Sequence, residues 1–161
     1  TDPYSSEMMG WKYPKTVADI VLVSHEHEDH NAANQVINEG NPPKVLRGPG
    51  EYEVKEIMIR AVATWHDASS GSQRGENTVF VMDVEGARIA HLGDLGHKLT
   101  ENQLSEIGNV DIVFVPAGGH FTISPQTAVE VVGQLEPKIV IPMHYKVPGM
   151  GPTFEPLAEV D

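Results

Sequence analysis

Ala18-Asp19-Ile20-Val21-Leu22-Val23-Ser24-His25-Glu26-His27-Glu28-Asp29-His30 is the stretch that decides how this chain is read. An apolar run of strand character ends at Ser24, and the next six residues carry three imidazoles and an aspartate. Side chains alternate along an extended backbone, so His25, His27 and Asp29 are expected on one side and His30 on the other. That arrangement suits two metal ions better than one. Glu26 and Glu28 fall between the ligand types and are expected to face solvent or to support the ligands from outside.

Downstream of this cluster a short helix is expected from about Asn31, ended by Gly40 and Pro42-Pro43, and then a short strand over 45–47. Residues 53–65 read as one long strand or two, and residues 68–77 have no apolar period and read as an exposed loop. Glu85-Gly86 between two apolar runs is a hairpin signal. Thr100 with Gln103 makes a capping box for a helix that Gly108 closes. A strand over 110–115 follows, then a helix opened by Ser124-Pro125 and a closing strand over 138–142. Upstream, residues 1–16 read as a loop with apolar side chains, among them Trp11 and Tyr13. His66, Asp94 and His144 each stand just past a strand, as the first cluster does, so parallel strands would bring all seven groups to one rim.

The 161 residues suffice for one domain with a hydrophobic core, and 40% apolar with 21% charged content argues against disorder. No apolar run approaches the ~18 residues of a membrane span, and the first residues lack a signal peptide's pattern, so no membrane partner and a cytoplasmic location are expected. With 11 Lys and Arg against 23 Asp and Glu the net charge is −12, which repels phosphate backbones and argues against nucleic acid. A small-molecule substrate is the expected partner. Cysteine is absent, which removes disulfides, thiolate zinc sites and cysteine nucleophiles.

The order His-x-His-x-Asp-His, then a distant His, Asp and His, resembles the signature of the metallo-β-lactamase superfamily. Ile89-Ala90-His91-Leu92-Gly93-Asp94, Pro116-Ala117-Gly118-Gly119-His120-Phe121-Thr122 and Pro142-Met143-His144-Tyr145 are similar to its branch of stand-alone hydrolases that includes ascorbate-6-phosphate lactonase. The resemblance implies an α+β fold, the αββα sandwich, over one domain spanning residues 1–161. It also implies that His25, His27 and His66 hold a first metal, that Asp29, His30 and His144 hold a second, and that Asp94 bridges them. The family's initial hairpin leads into an Asp-Pro pair, whereas Asp2-Pro3 stands at the start here, and the family continues past Pro156-Leu157-Ala158-Glu159-Val160-Asp161. The domain is therefore expected to be incomplete at both ends, lacking its first strands. An open sheet edge favours association, so a homo-oligomer is among the expected states.

Nitrogen and carboxylate ligands without thiolate suit two divalent ions, zinc first, with manganese or iron as alternatives. A cation in an open site lowers the pKa of its water from 15.7 to about 7, so metal-bound hydroxide acting on a small ester, lactone, amide or phosphodiester is the expected chemistry. A silent metal-binding or assembly module is the alternative. Asp29 is placed among the catalytic residues as well as the ligands, and His120, in a glycine-rich loop after a strand, as a proton donor or oxyanion contact. His91, three residues before Asp94, is expected to pack on the opposite face, and His97 to sit at the surface. Lys12, Lys15, Arg74, Lys98 and Lys146 read as scattered surface charges or contacts to an anionic substrate.

Overall fold

The computed structural model describes residues 1–38 and 40–159. Eight strands form two sheets. The smaller sheet pairs β1 (Ile20–Val23) with β2 (Lys44–Arg47) in parallel. The larger holds, in spatial order, β3 (Gly50–Val54), β4 (Ile57–Trp65), β5 (Glu76–Val84), β6 (Ala87–His91), β7 (Ile112–Pro116) and β8 (Ile139–Met143). Pairing is antiparallel from β3 to β6 and parallel from β6 to β8. It follows that β4, β6, β7 and β8 run the same way and end at one edge of the sheet.

Helix α1 is the single turn Ser6–Met9, capped by Ser5, inside the stretch 1–16 expected as loop throughout. The apolar residues divide by face. Val62, Val79, Val81, Ala90 and Val113 pack under the helices α2 (Glu101–Ile107) and α3 (Pro125–Leu135), joined by Leu99, Ile107, Val131 and Leu135. On the other face Ile59, Ala61 and Phe80 meet Leu22 and Leu46 of the small sheet. A third layer of contacts, Val21 and Val23 with Ala33 and Val36, closes the outside of that small sheet. The result is the expected α+β sandwich, a mixed sheet with helices flanking. Because the large sheet is covered on both faces, β4 buries neighbours Ala61 and Val62 alike instead of alternating.

Local chemistry explains the element ends. Thr100 Oγ1 accepts from the Gln103 N–H at 3.3 Å while Gln103 Oε1 accepts from the Thr100 N–H at 3.0 Å, completing the capping box, and Gly108 ends α2 at φ 67°. Ser124 caps α3 and Pro125 occupies its first position. Glu85 and Gly86 both have positive φ, as does the Lys55-Glu56 pair, which makes residues 50–65 two strands joined by a hairpin turn.

Two further expectations are corrected. After the histidine cluster only one 3-10 turn forms, Ala33–Gln35, in place of a helix running to Gly40; Glu39 lies outside the described residues. The β-branched Ile37 is drawn into a parallel bridge with Val17 instead, where the Ile37 N–H donates to Thr16 O and the Ala18 N–H to Ile37 O, both at 3.1 Å. Secondly, β5 begins at Glu76, so Glu76 and Asn77 belong to the sheet and not to the loop. Asn77 is 1% exposed because its amide is satisfied inside the fold, which no apolar periodicity signals. Among the described residues no helix is long and apolar enough to cross a membrane.

Candidate metal centre

Four strand ends deliver the ligand-type side chains. His25 follows β1, His66 follows β4, Asp94 follows β6 and His144 follows β8. Between residues 27 and 31 the chain turns, with the His30 and Asn31 N–H groups donating to His27 O at 2.9 and 3.1 Å. That turn overrides the alternation expected of an extended segment. Asp29 consequently lies with His30 and not with His25 and His27. Three groups each hold donor atoms within 4.8 Å of one another: His25, His27 and His66; His25, His30 and Asp94; Asp29, His30 and His144.

Asp94 sits between them, 3% exposed. Its Oδ2 lies 3.2 Å from His66 Nε2, 3.2 Å from His144 Nε2 and 3.8 Å from His25 Nε2, and its Oδ1 lies 3.5 Å from His30 Nε2. Burial works to raise its carboxyl, but the His30 and His144 charges and hydrogen bonds from His144 and His66 hold it well below the usual carboxylate range. Burial also opposes charge on the histidines, pushing His25 down to about 3. At His30 the carboxylates of Asp94, Asp2 and Asp29 overcome burial and lift it to about 9, and Asp94 raises His144 in the same way.

The seven groups the sequence singled out as ligands are therefore brought together, and a supporting set the sequence did not single out holds them. Asn77 Oδ1 accepts from the Asp94 N–H at 2.9 Å, while its Nδ2 donates to Thr64 Oγ1 at 2.7 Å and Leu92 O at 2.9 Å. Gly93 precedes Asp94 at φ 55°, and a Cβ there would stand 2.4 Å from Asn77 Oδ1 and 2.6 Å from Ser24 Cβ. Asp2 accepts from the Ser24 N–H at 2.7 Å and the Ser24 hydroxyl at 2.8 Å, and its Oδ2 is 3.4 Å from His30 Nδ1. With its hydrogen committed to Asp2, Ser24 Oγ accepts from His25 Nδ1 at 2.9 Å, which leaves the His25 Nε2 lone pair turned inward. Asp2 was legible only as half of an Asp-Pro pair, and Asn77 only as part of a loop.

Other residues fall outside the ligand groups. His91 is buried but not on the opposite face as expected: it lines one cavity with Asp2, His30 and Asp94, and its Nδ1 accepts from the Gly93 N–H at 3.2 Å; burial pushes it down to about 4. His97 Nε2 accepts from the Trp65 N–H at 3.1 Å, which fastens the end of β4 beside His66. His120 is exposed at φ 54°, its ring edge-on to Phe121 with centroids 4.4 Å apart. Glu26 pairs with Arg47, and Trp11 Nε1 donates to Gly149 O at 3.1 Å. Two cavities, of about 330 and 360 Å³, meet at Asp29, Asp94, His144 and Phe154. Gly118 lies behind His144, where a Cβ would stand 2.1 Å from His144 O, and His144 itself holds φ 51°. A non-glycine residue in that region marks local strain retained at the site.

The donor set fits metal binding. His25 Nε2 is buried with no hydrogen-bond partner among the described residues, the Nε2 atoms of His30, His66 and His144 face the Asp94 carboxylate, and imidazole nitrogens around shared carboxylates are ligands for divalent cations. Comparison with known proteins agrees. Residues 1–144 match the family described as Beta-lactamase superfamily domain, and the chain belongs to the metallo-β-lactamase superfamily. It is similar to a UPF0173 metal-dependent hydrolase of Thermococcus onnurineus, 32% identical over 164 residues covering 88% of this chain and 70% of that protein. A second UPF0173 metal-dependent hydrolase, from Pelotomaculum thermopropionicum, is 30% identical over 83% of this chain and 70% of its own length. Among solved structures, a protein of Thermotoga maritima assigned to the Zn-dependent hydrolases of this superfamily superposes with a TM-score of 0.73 at 40% identity over 92% of this chain. The chain spans 66% of that structure's length. These likenesses support the superfamily and the UPF0173 group and do not single out a lactonase.

Two predictions follow from this geometry. Asn77→Ala leaves the Asp94 N–H and Leu92 O unpartnered, so it should cost about 1–3 kcal/mol of stability and weaken zinc affinity about 10–100-fold, read by denaturant titration and a competitive chelator. Without metal, stability should peak near the ordinary histidine pKa of about 6.5. Below it, His25 at about 3 and His91 at about 4 stay neutral while the unfolded chain takes protons; above it, His30 loses its proton as pH rises through about 9. Melting temperature against pH in chelator would contradict this if it rose steadily from pH 6.5 to 9.

Proposed function

We propose that the protein is a hydrolase that uses two divalent metal ions, zinc first, on a small ester, lactone, amide or phosphodiester. The observation that carries this is the buried Asp94 carboxylate set between imidazole Nε2 atoms of two groups of histidines, within reach of His66 and His25 on one side and His144 and His30 on the other. Cations held by His25, His27 and His66 on one side and Asp29, His30 and His144 on the other would supply a Lewis acid and acidify a water. Asp94, which reaches both sets, would reduce the mutual repulsion of two such charges.

The chain's own groups complete the reaction. Asp29 borders both cavities, which supports a role as acceptor of the attacking water's proton. His120, exposed on the loop after β7 and outside the lining of both cavities, would give a proton to the departing oxygen or nitrogen only from the rim of the site. Asp2, Ser24 and Asn77 hold His25, His30 and Asp94 in orientation, which sustains the site between turnovers. Cavities of about 330 and 360 Å³ match small molecules and not polymers. The net charge of −12 points away from nucleic acid as well.

The test is a panel of esters, lactones, amides and phosphodiesters run on zinc-loaded protein. Turnover of at least one class is expected, abolished by chelator, restored by zinc, and reduced about 100-fold or more in Asp94→Ala. Turnover indifferent to chelator, or metal bound with no turnover across the panel, would overturn the reading, the latter in favour of a silent metal-binding module.

A further inference from the structure

We infer that Arg74 is a specificity residue, selecting substrates that carry an oxyanion, a carboxylate or phosphoryl group, beside the bond hydrolysed at the histidine–aspartate centre; this rests on the hydrolase reading above. Arg74 lies in a Gly- and Ser-rich loop that composition alone would leave unfixed. Asp67, 8% exposed, fixes it by accepting from the N–H groups of Ser69, Gly71, Gln73 and Arg74 at 2.7, 3.0, 3.0 and 2.8 Å. The loop is wound around one carboxylate at the end of the strand that supplies His66.

The side chain is placed as firmly. Arg74 Nη1 donates to His120 O at 3.0 Å, and its Cζ stands 5.3 Å from the Phe121 ring centroid, a cation–π distance. Phe121 in turn meets the His144 ring edge-on, with centroids 6.4 Å apart. Arg47, Arg60 and Arg88 each pair with a carboxylate, whereas among the described residues no ion pair engages Arg74. Glu28 lines the same cavity without pairing to it.

Arg74 is the one Lys or Arg among the described residues lining either cavity at the centre, and it shares its cavity with His27, His66, Asp94 and His144. A guanidinium has five N–H donors in a planar fork, and the bond to His120 O occupies one. The remainder suit bidentate capture of an oxyanion. Such a cation also has an electrostatic task here, because a chain of net charge −12 repels anions unless one is offset locally.

Calorimetric binding of phenol, 4-hydroxybenzoate and 4-hydroxyphenyl phosphate to the zinc-loaded protein tests this without turnover. Wild type should bind at least one of the anions better than phenol, and the preferred anion identifies the oxyanion. In Arg74→Gln the anion-to-phenol affinity ratio should fall about tenfold or more. Arg74→Lys, which keeps the charge without the fork, should fall between. Phe121→Leu, which removes the platform and keeps the cation, should lower the ratio less than Arg74→Gln, and unchanged melting temperatures would show that each variant folds. A ratio kept within twofold in Arg74→Gln, or no preference for either anion in wild type, would overturn the inference. Arg74-dependent binding in a protein that hydrolyses nothing would overturn the hydrolase reading alone.

Discussion

One buried carboxylate organises this molecule's chemistry. Asp94 is 3% exposed and has imidazole nitrogens of His66 and His144 at 3.2 Å, with those of His30 and His25 slightly farther away. A charge removed from water to that extent costs several kcal/mol unless it is matched by opposite charge and hydrogen bonds. In the metal-free protein the match comes from His30 and His144, both of which the carboxylates raise, and from the His66 hydrogen bond, and divalent cations would provide a stronger one. Binding metal must therefore displace protons from histidines that the carboxylates hold above their ordinary range, so affinity and pH are coupled.

The fold makes that concentration of charge tolerable. Since β4, β6, β7 and β8 run in parallel, their following loops fall on one edge, and β1 of the second sheet ends beside them. The sheet below is packed on both faces by Val62, Val79, Phe80 and Val113, so the polar cluster is built on a rigid apolar base. Close approaches finish the work: Gly93 admits Asn77 and Ser24 to the backbone of Asp94, and Gly118 admits the His144 carbonyl.

Much of this was legible before the coordinates because the signals are local. The Ser24 to His30 cluster, the Thr100–Gln103 capping box, Ser124-Pro125 and the Glu85-Gly86 turn all announce themselves within a few residues. What escaped the sequence depends on distant partners. Ile37 joins Val17 in a bridge and so ends the helix expected there; Asn77 looks like loop composition until Thr64, Leu92 and Asp94 surround it. The alternation expected across residues 25–30 failed because a tight turn at His27 regrouped Asp29 with His30. Arg74 read as one surface charge among several, and only the contacts with Phe121 and His120 distinguish it.

We propose that Asp94 joins two ligand sets, each of which would hold a divalent ion. Elemental mass spectrometry on protein stripped of metal, reloaded with zinc and freed of excess tests it most directly, with Asp94→Ala treated in parallel. Two equivalents per wild-type chain and at most one in the variant are predicted. A single equivalent or none in wild type, or two retained without the Asp94 carboxylate, would contradict the account.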